Sequence, residues 1–259
     1  VYVVEDAAQA MGCTAREGLI GTIGDVGFYS LGRGKNITCG GGGIIVTNSD
    51  VIAAALDRQY AQLEEPGLLE DIKDLVATIL LALFIRPWLY WFPAGLPFLK
   101  LGETIFYHDF PVKRLSGMKA GILKNWRERL EEYNRKRREN VEYYNANLQI
   151  CVGEQGKSRQ NDTITAGAQL RLPVLADSRQ RRDDFLSSLA VRGLGISRMY
   201  PTPISRINEI KDNFRGKEYL GAEAVSDRLF TVPLHPLVNE LDRMQTVALL
   251  KDMTASKPR

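Results

Sequence analysis

The first fifty residues alternate short apolar runs with glycine-rich turns, and no run there could build a helix of several turns. Val1-Tyr2-Val3-Val4 is β-branched and aromatic and reads as a buried strand, with Glu5 and Asp6 at its carboxyl end. Residues 7–11 read as a short helical turn, 18–24 as a loop, and 27–30 as a second strand. Gly40 to Gly43 then turns into Ile44-Ile45-Val46-Thr47. Such alternation implies an α/β sheet, in which ligands gather at the carboxyl ends of strands. The chain opens on Val, in mid-strand, with no leader-like segment before it. We therefore expect the C-terminal portion of a longer protein.

Beyond residue 50 the pattern changes twice. Asn48-Ser49-Asp50 offers a cap to a helix over about 51–63. Residues 64–112 read as an apolar insertion: 75–85 carries no charge, Arg86-Pro87 interrupts, and 88–99 is again uncharged, with Trp88, Tyr90, Trp91 and Phe92. Neither run reaches the roughly 20 residues of a spanning helix. Such side chains should be buried, and we expect 75–99 to pack against protein, with a membrane surface as the alternative destination. Residues 115–148 read as one amphipathic helix with apolar positions three or four apart. Its cluster Arg135-Lys136-Arg137-Arg138 reads as a solvated face balanced by neighbouring glutamates. A small α+β unit follows, with strands over 170–175, 196–200 and 229–234 and helices over 178–192 and 239–253.

Composition removes several function classes. Lys plus Arg number 34 against 31 Asp plus Glu, too small and too scattered an excess to argue for nucleic acid. Three distant cysteines, Cys13, Cys39 and Cys151, fit neither a disulfide framework nor a thiolate zinc site, and favour a reducing compartment such as the cytoplasm. His108 and His235 are the only histidines, so no metal site is expected. His235, between prolines at a strand end, reads as structural. A Walker loop fails because Gly34-Lys35 is followed by Asn36, and Gly40 to Gly43 leads into a strand where a dinucleotide turn needs a helix.

Asp6, Gln9, Ser30 and Lys35 form a better constellation. An aspartate at a strand's carboxyl end and a lysine in a nearby glycine-rich segment could share one crevice. Pyridoxal phosphate needs that pair: a lysine for the Schiff base, and a carboxylate to keep the pyridine nitrogen protonated so that the ring acts as an electron sink. The structural alternative is that Asp6 caps a helix and Lys35 points to water.

The wording around these residues is specific. Glu5-Asp6-Ala7-Ala8-Gln9-Ala10, Gly24-Asp25-Val26-Gly27-Phe28-Tyr29-Ser30, Lys35-Asn36, and Gly41-Gly42-Gly43 through Thr47-Asn48 follow in order, with 29 residues from Asp6 to Lys35. Together they resemble the DegT/StrS family of pyridoxal-phosphate-dependent sugar aminotransferases. Arg114-Leu115-Ser116, Tyr200-Pro201 and Val232-Pro233-Leu234-His235-Pro236 extend the resemblance to nearly all the chain outside 64–112. The resemblance implies the C-terminal part of a fold type I enzyme. Residues 1–63 would be the remainder of a large α/β cofactor-binding domain, and 113–259 the long helix with a small α+β domain.

By the same resemblance, Lys35 would hold the cofactor covalently and shuttle the proton. Asp6 would pair with the pyridinium nitrogen, Gln9 would lie near the ring, and Ser30 would bond the phosphate. The implied reaction moves an amino group, from glutamate, to a nucleotide-linked keto-sugar in a homodimer, with the fragment inactive alone. Two departures stand out: Val112 lies near where the family has an asparagine reaching a phosphate across the dimer, and the family's first portion has no counterpart here. The rivals are a dehydratase-like sugar-modifying relative, which would carry His in place of Lys35, and a non-catalytic relative attached to a membrane.

Overall fold

Val4–Asp6 forms strand β1, Thr14–Ala15 β2 and Gly18–Leu19 β3, followed by β4 (Val26–Ser30) and β5 (Gly43–Val46). This is a computed structural model, and it describes residues 1–84, 106, 109–148, 164–190, 193–198, 200 and 202–255. β1 runs parallel to β4 with Val4 opposite Val26 and Asp6 opposite Phe28, and β5 lies antiparallel on the other side of β4. The parallel pair brings the carboxyl ends of β1 and β4 to one edge of the sheet. The expected strand over 1–4 is corrected: pairing begins at Val4, and Val1, Tyr2, Val3 and Val4 are exposed because β1 is an edge strand, paired with β4 alone among the described residues. The loop expected over 18–24 instead starts with the β2–β3 hairpin.

Ser49 caps α1 (Asp50–Gln62) by accepting the Ile52 N–H at 3.4 Å. Gly67 precedes α2 (Leu68–Phe84), and Glu70 reaches back to the Gly67 N–H at 3.1 Å, half of a capping box. The uncharged run is helical within α2 from residue 75 to residue 84, yet Leu75, Val76, Ile79, Leu80 and Leu83 are exposed in the single chain. The second run, 88–99, and His108 lie outside the described residues. Among the described residues no helix is long and apolar enough to cross a membrane.

The single helix expected over 115–148 is two. α3 (Gly117–Ile122), capped by Ser116, stops, and α4 (Trp126–Asn147) starts after Asn125 in the left-handed region at φ 55°. Asparagine tolerates that conformation, so the chain changes direction without breaking the apolar spacing.

β6 (Ile164–Ala166) returns to pair with β2, and β7 (Arg171–Leu175) pairs antiparallel with β8 (Leu229–Pro233). α5 (Arg179–Ala190), α6 (Leu220–Arg228) and α7 (Glu240–Ala255) complete the C-terminal part. The strand expected over 196–200 reduces to one bridge, Ser197 to Thr231, and residues 199 and 201 lie outside the described set. Two cores result. Ala7, Met11, Tyr29, Leu31, Ile37 and Leu130 belong to the first; Tyr144, Leu148, Phe230, Val232, Leu234 and Leu250 belong to the second. α4 contributes to both.

Candidate active site

Asp6 closes β1 and Ser30 closes β4, so both side chains stand at the shared carboxyl edge. The main chain continues the pairing one step, as the Ala7 N–H donates to the Phe28 carbonyl at 3.1 Å. Asp6 Oδ1 accepts the Ala8 N–H at 3.1 Å, a local turn that leaves Oδ2 without a donor among the described residues. Gln9 follows on that turn and donates from Nε2 to the Tyr200 hydroxyl at 3.4 Å, a long bond joining this edge to the C-terminal part. Ser30 Oγ accepts the Gly32 N–H at 3.2 Å.

Lys35 sits half-buried at the end of the following loop. Burial pulls the pKa of its amine below the ordinary lysine value, and the nearby charge of Asp6 acts in the opposite direction. A lysine so placed keeps a larger neutral, nucleophilic fraction at a given pH than one in water. The structure therefore sets Asp6 and Ser30 at one carboxyl edge, with Gln9 on the turn after β1 and Lys35 near enough to feel the Asp6 charge. An amine, a carboxylate with a free oxygen, a hydroxyl and a carboxamide are a donor set that fits pyridoxal phosphate.

Beneath Lys35 lies a buried polar layer absent from the reading of the sequence. Asn36, Asn134 and Arg137 are exposed by only 1%, 3% and 4%. Asn36 Nδ2 donates to Asn134 Oδ1 at 3.0 Å and to the Ala168 carbonyl at 3.3 Å, and Asn134 Nδ2 donates to the Met11 carbonyl at 3.0 Å. Arg137 donates to the carbonyls of Asn36 and Lys35 at 3.2 and 3.1 Å. The reading of 135–138 as a solvated face is thus corrected at Arg137. Arg135 and Lys136 do pair along the helix with Glu139 and Glu132. The signal was available: Leu130, Asn134, Arg137, Asn140 and Tyr144 recur at three or four residues, so the polar members share the apolar face.

Glu5, next to Asp6 on β1, holds the loop that enters β4. Its carboxylate accepts the amides of Gly21, Ile23 and Gly24 at 2.8, 2.7 and 2.6 Å. Desolvation alone would raise its pKa; the three N–H donors outweigh that and hold it below the ordinary value.

On the C-terminal side, a cleft of about 330 Å³ opens beside Gln9, Gln169, Arg171 and Tyr200. Arg171 is already engaged there, donating to Thr231 Oγ1 at 2.6 Å and to the Gly195 carbonyl at 2.7 Å. His235 accepts the Leu237 N–H on Nδ1 at 3.2 Å. Desolvation, then the charges of Arg171 and Arg137, push its pKa down to about 4, so the ring is neutral and serves the turn. Arg114 closes the end of α1, donating to the Tyr60 and Ala61 carbonyls at 3.2 and 2.6 Å and to Glu65 at 2.9 Å. Val112 is exposed. Among the described residues no group of His, Cys, Asp and Glu could hold a metal ion.

Comparison with known proteins shows the family and the fold. The DegT/DnrJ/EryC1/StrS aminotransferase family model matches residues 1–251. GDP-perosamine synthase from Vibrio cholerae is 44% identical over 52 residues, 20% of this chain and 14% of that protein. The uncharacterized protein MJ1066 of Methanocaldococcus jannaschii is 22% identical over 257 residues, covering 98% of this chain and 60% of its own length. The crystal structure of the aminotransferase TlmJ from Streptoalloteichus hindustanus superposes with a TM-score of 0.68 at 21% identity, over 98% of this chain and 59% of that one. The chain thus spans about three fifths of the longer proteins that it matches along its length. The shared fold is that of the fold type I pyridoxal-phosphate aminotransferases, mixed α/β, and the family depends on that cofactor. Matched from residue 1 to residue 251 and sharing one fold with its relatives, the chain belongs to the DegT/DnrJ/EryC1/StrS aminotransferase family.

Proposed function

We propose that the whole protein transfers an amino group from glutamate to a nucleotide-linked keto-sugar, with pyridoxal phosphate as cofactor. One observation carries the reading: the half-buried Lys35 amine stands within reach of the Asp6 charge, at the carboxyl edge shared by β1 and β4. Likeness to proteins named GDP-perosamine synthase supports a nucleotide-linked sugar as the acceptor class. Bound there, the cofactor supplies an electron sink for the electrons released at the substrate's α-carbon. Lys35 Nζ anchors the group and moves the proton. Asp6 Oδ2, free of protein donors among the described residues, accepts a hydrogen bond from the protonated ring nitrogen. Gln9 lies beside the ring, and Ser30 Oγ donates to the phosphate. The working unit is a homodimer in the cytoplasm, as fold type I sites form between two subunits.

Incubation with pyridoxal phosphate, borohydride reduction and peptide mapping test the assignment. The reduced label is expected on Lys35 and is lost in Lys35→Ala; a label on a different lysine sinks the proposal. In the whole protein, Asp6→Asn should retain the label and lose several orders of magnitude in transamination rate, because the sink depends on a protonated ring.

A further inference from the structure

Arg137 is a buried cation whose charge no carboxylate answers among the described residues. Its donors go to main chain instead. Nη2 reaches the Lys35 carbonyl at 3.1 Å, and Nη1 reaches the Asn36 carbonyl at 3.2 Å and Asn134 Oδ1 at 3.3 Å. Two consecutive carbonyls held by one planar guanidinium are fixed in direction as well as position. A lysine ammonium, a point charge on a flexible stem, cannot do both. The loop needs an external hold. Its own closing bond, Lys35 N–H to the Gly32 carbonyl, is long at 3.4 Å, and Gly34 turns it through φ +75°.

We propose that Arg137 is the positioning residue of the Lys35 amine, clamping the carbonyls of Lys35 and Asn36 from below and so setting where Nζ projects at the carboxyl edge of β1 and β4. The inference rests on Lys35 being the reacting amine, as proposed above. Asn134 completes the clamp by accepting from both Arg137 and Asn36. Burial of Lys35 follows from this hold, so a loosened clamp lets water reach the amine and returns it toward ordinary lysine behaviour.

The test reads Lys35 itself, with no cofactor present. Brief acetic anhydride pulses across a pH series, quantified lysine by lysine by mass spectrometry, give its titration in the full chain. Hydrogen exchange of residues 33–37 gives the loop's hold. In Arg137→Lys the midpoint of the Lys35 profile should move up, lowering its neutral fraction at pH 8 on the order of threefold, while exchange over 33–37 quickens and circular dichroism is unchanged. Arg135→Lys, on the exposed face, should alter neither. A folded Arg137→Lys that leaves both readouts at parental values overturns the proposal, as does one that only lowers thermal stability. Should Arg137→Lys fail to fold, Asn134→Ala carries the same expectation and the same refutation. Pyridoxal phosphate labelling of parental Lys35 is a separate readout: its absence sinks the transfer reading and with it the catalytic meaning of the clamp.

Discussion

Glu5 shows how much one side chain can organise. Three backbone amides converge on its carboxylate, and the 21–24 loop that they belong to leads directly into β4. In Glu5→Gln, Oε1 can still serve Ile23 and Gly24, but a side-chain NH₂ then faces the Gly21 N–H. The expected loss is about 1–3 kcal/mol, read as a lower denaturant midpoint at unchanged slope. The carboxyl has a folded pKa below its ordinary 4.5, so its stabilisation is complete above that value and fades as pH falls through the lower folded one. The gap in stability between the parent and Glu5→Gln should therefore close in acid. A gap that persists unchanged to pH 3 would contradict this.

At the scale of elements, Gly27 decides whether β4 can lie where it does. A Cβ there would strike the carbonyl of Gly21, whose amide Glu5 holds, so neither strand nor loop can give way. Gly27→Ala should cost several kcal/mol, on the order of a badly overpacked core, and be seen as little folded protein by circular dichroism. Such positions explain why the first fifty residues could be read so far in advance: β4, β5 and α1 appear within a residue or so of where their glycines, β-branched runs and Ser49 cap place them. Asp6, Gln9, Ser30 and Lys35 stood out in the sequence by their chemistry and by the family resemblance of the motifs around them, and the structure sets Asp6 and Ser30 at the carboxyl ends of paired strands. The break between α3 and α4 was not legible, because Ile122 and Trp126 continue the apolar spacing across it while Leu123 and Asn125 leave helical geometry. Arg137 was missed because a run of four basic residues looks like a solvated surface until helical phase is laid over it.

For the whole molecule, the outer face of α2 carries the largest run of exposed apolar side chains on one helix among the described residues. Leu68, Leu69, Ile72, Leu75, Val76, Ile79, Leu80 and Leu83 are exposed in the single chain, and covering them is worth on the order of 10 kcal/mol at about 1.5 kcal/mol each. We expect protein to cover them. Deleting 75–99 from the whole protein should weaken self-association in sedimentation velocity and leave liposome co-sedimentation negligible before and after. A deletion that keeps the dimer and abolishes sedimentation with lipid would show the face to be a membrane contact. α4, 22 residues and about 33 Å of helix, carries Leu130 of one core and Tyr144 of the other. A member common to both hydrophobic clusters couples their melting: neither can lose its packing without baring a flank of the other. Scanning calorimetry should accordingly register one endotherm whose van't Hoff and calorimetric enthalpies agree, where two independently built domains would give two.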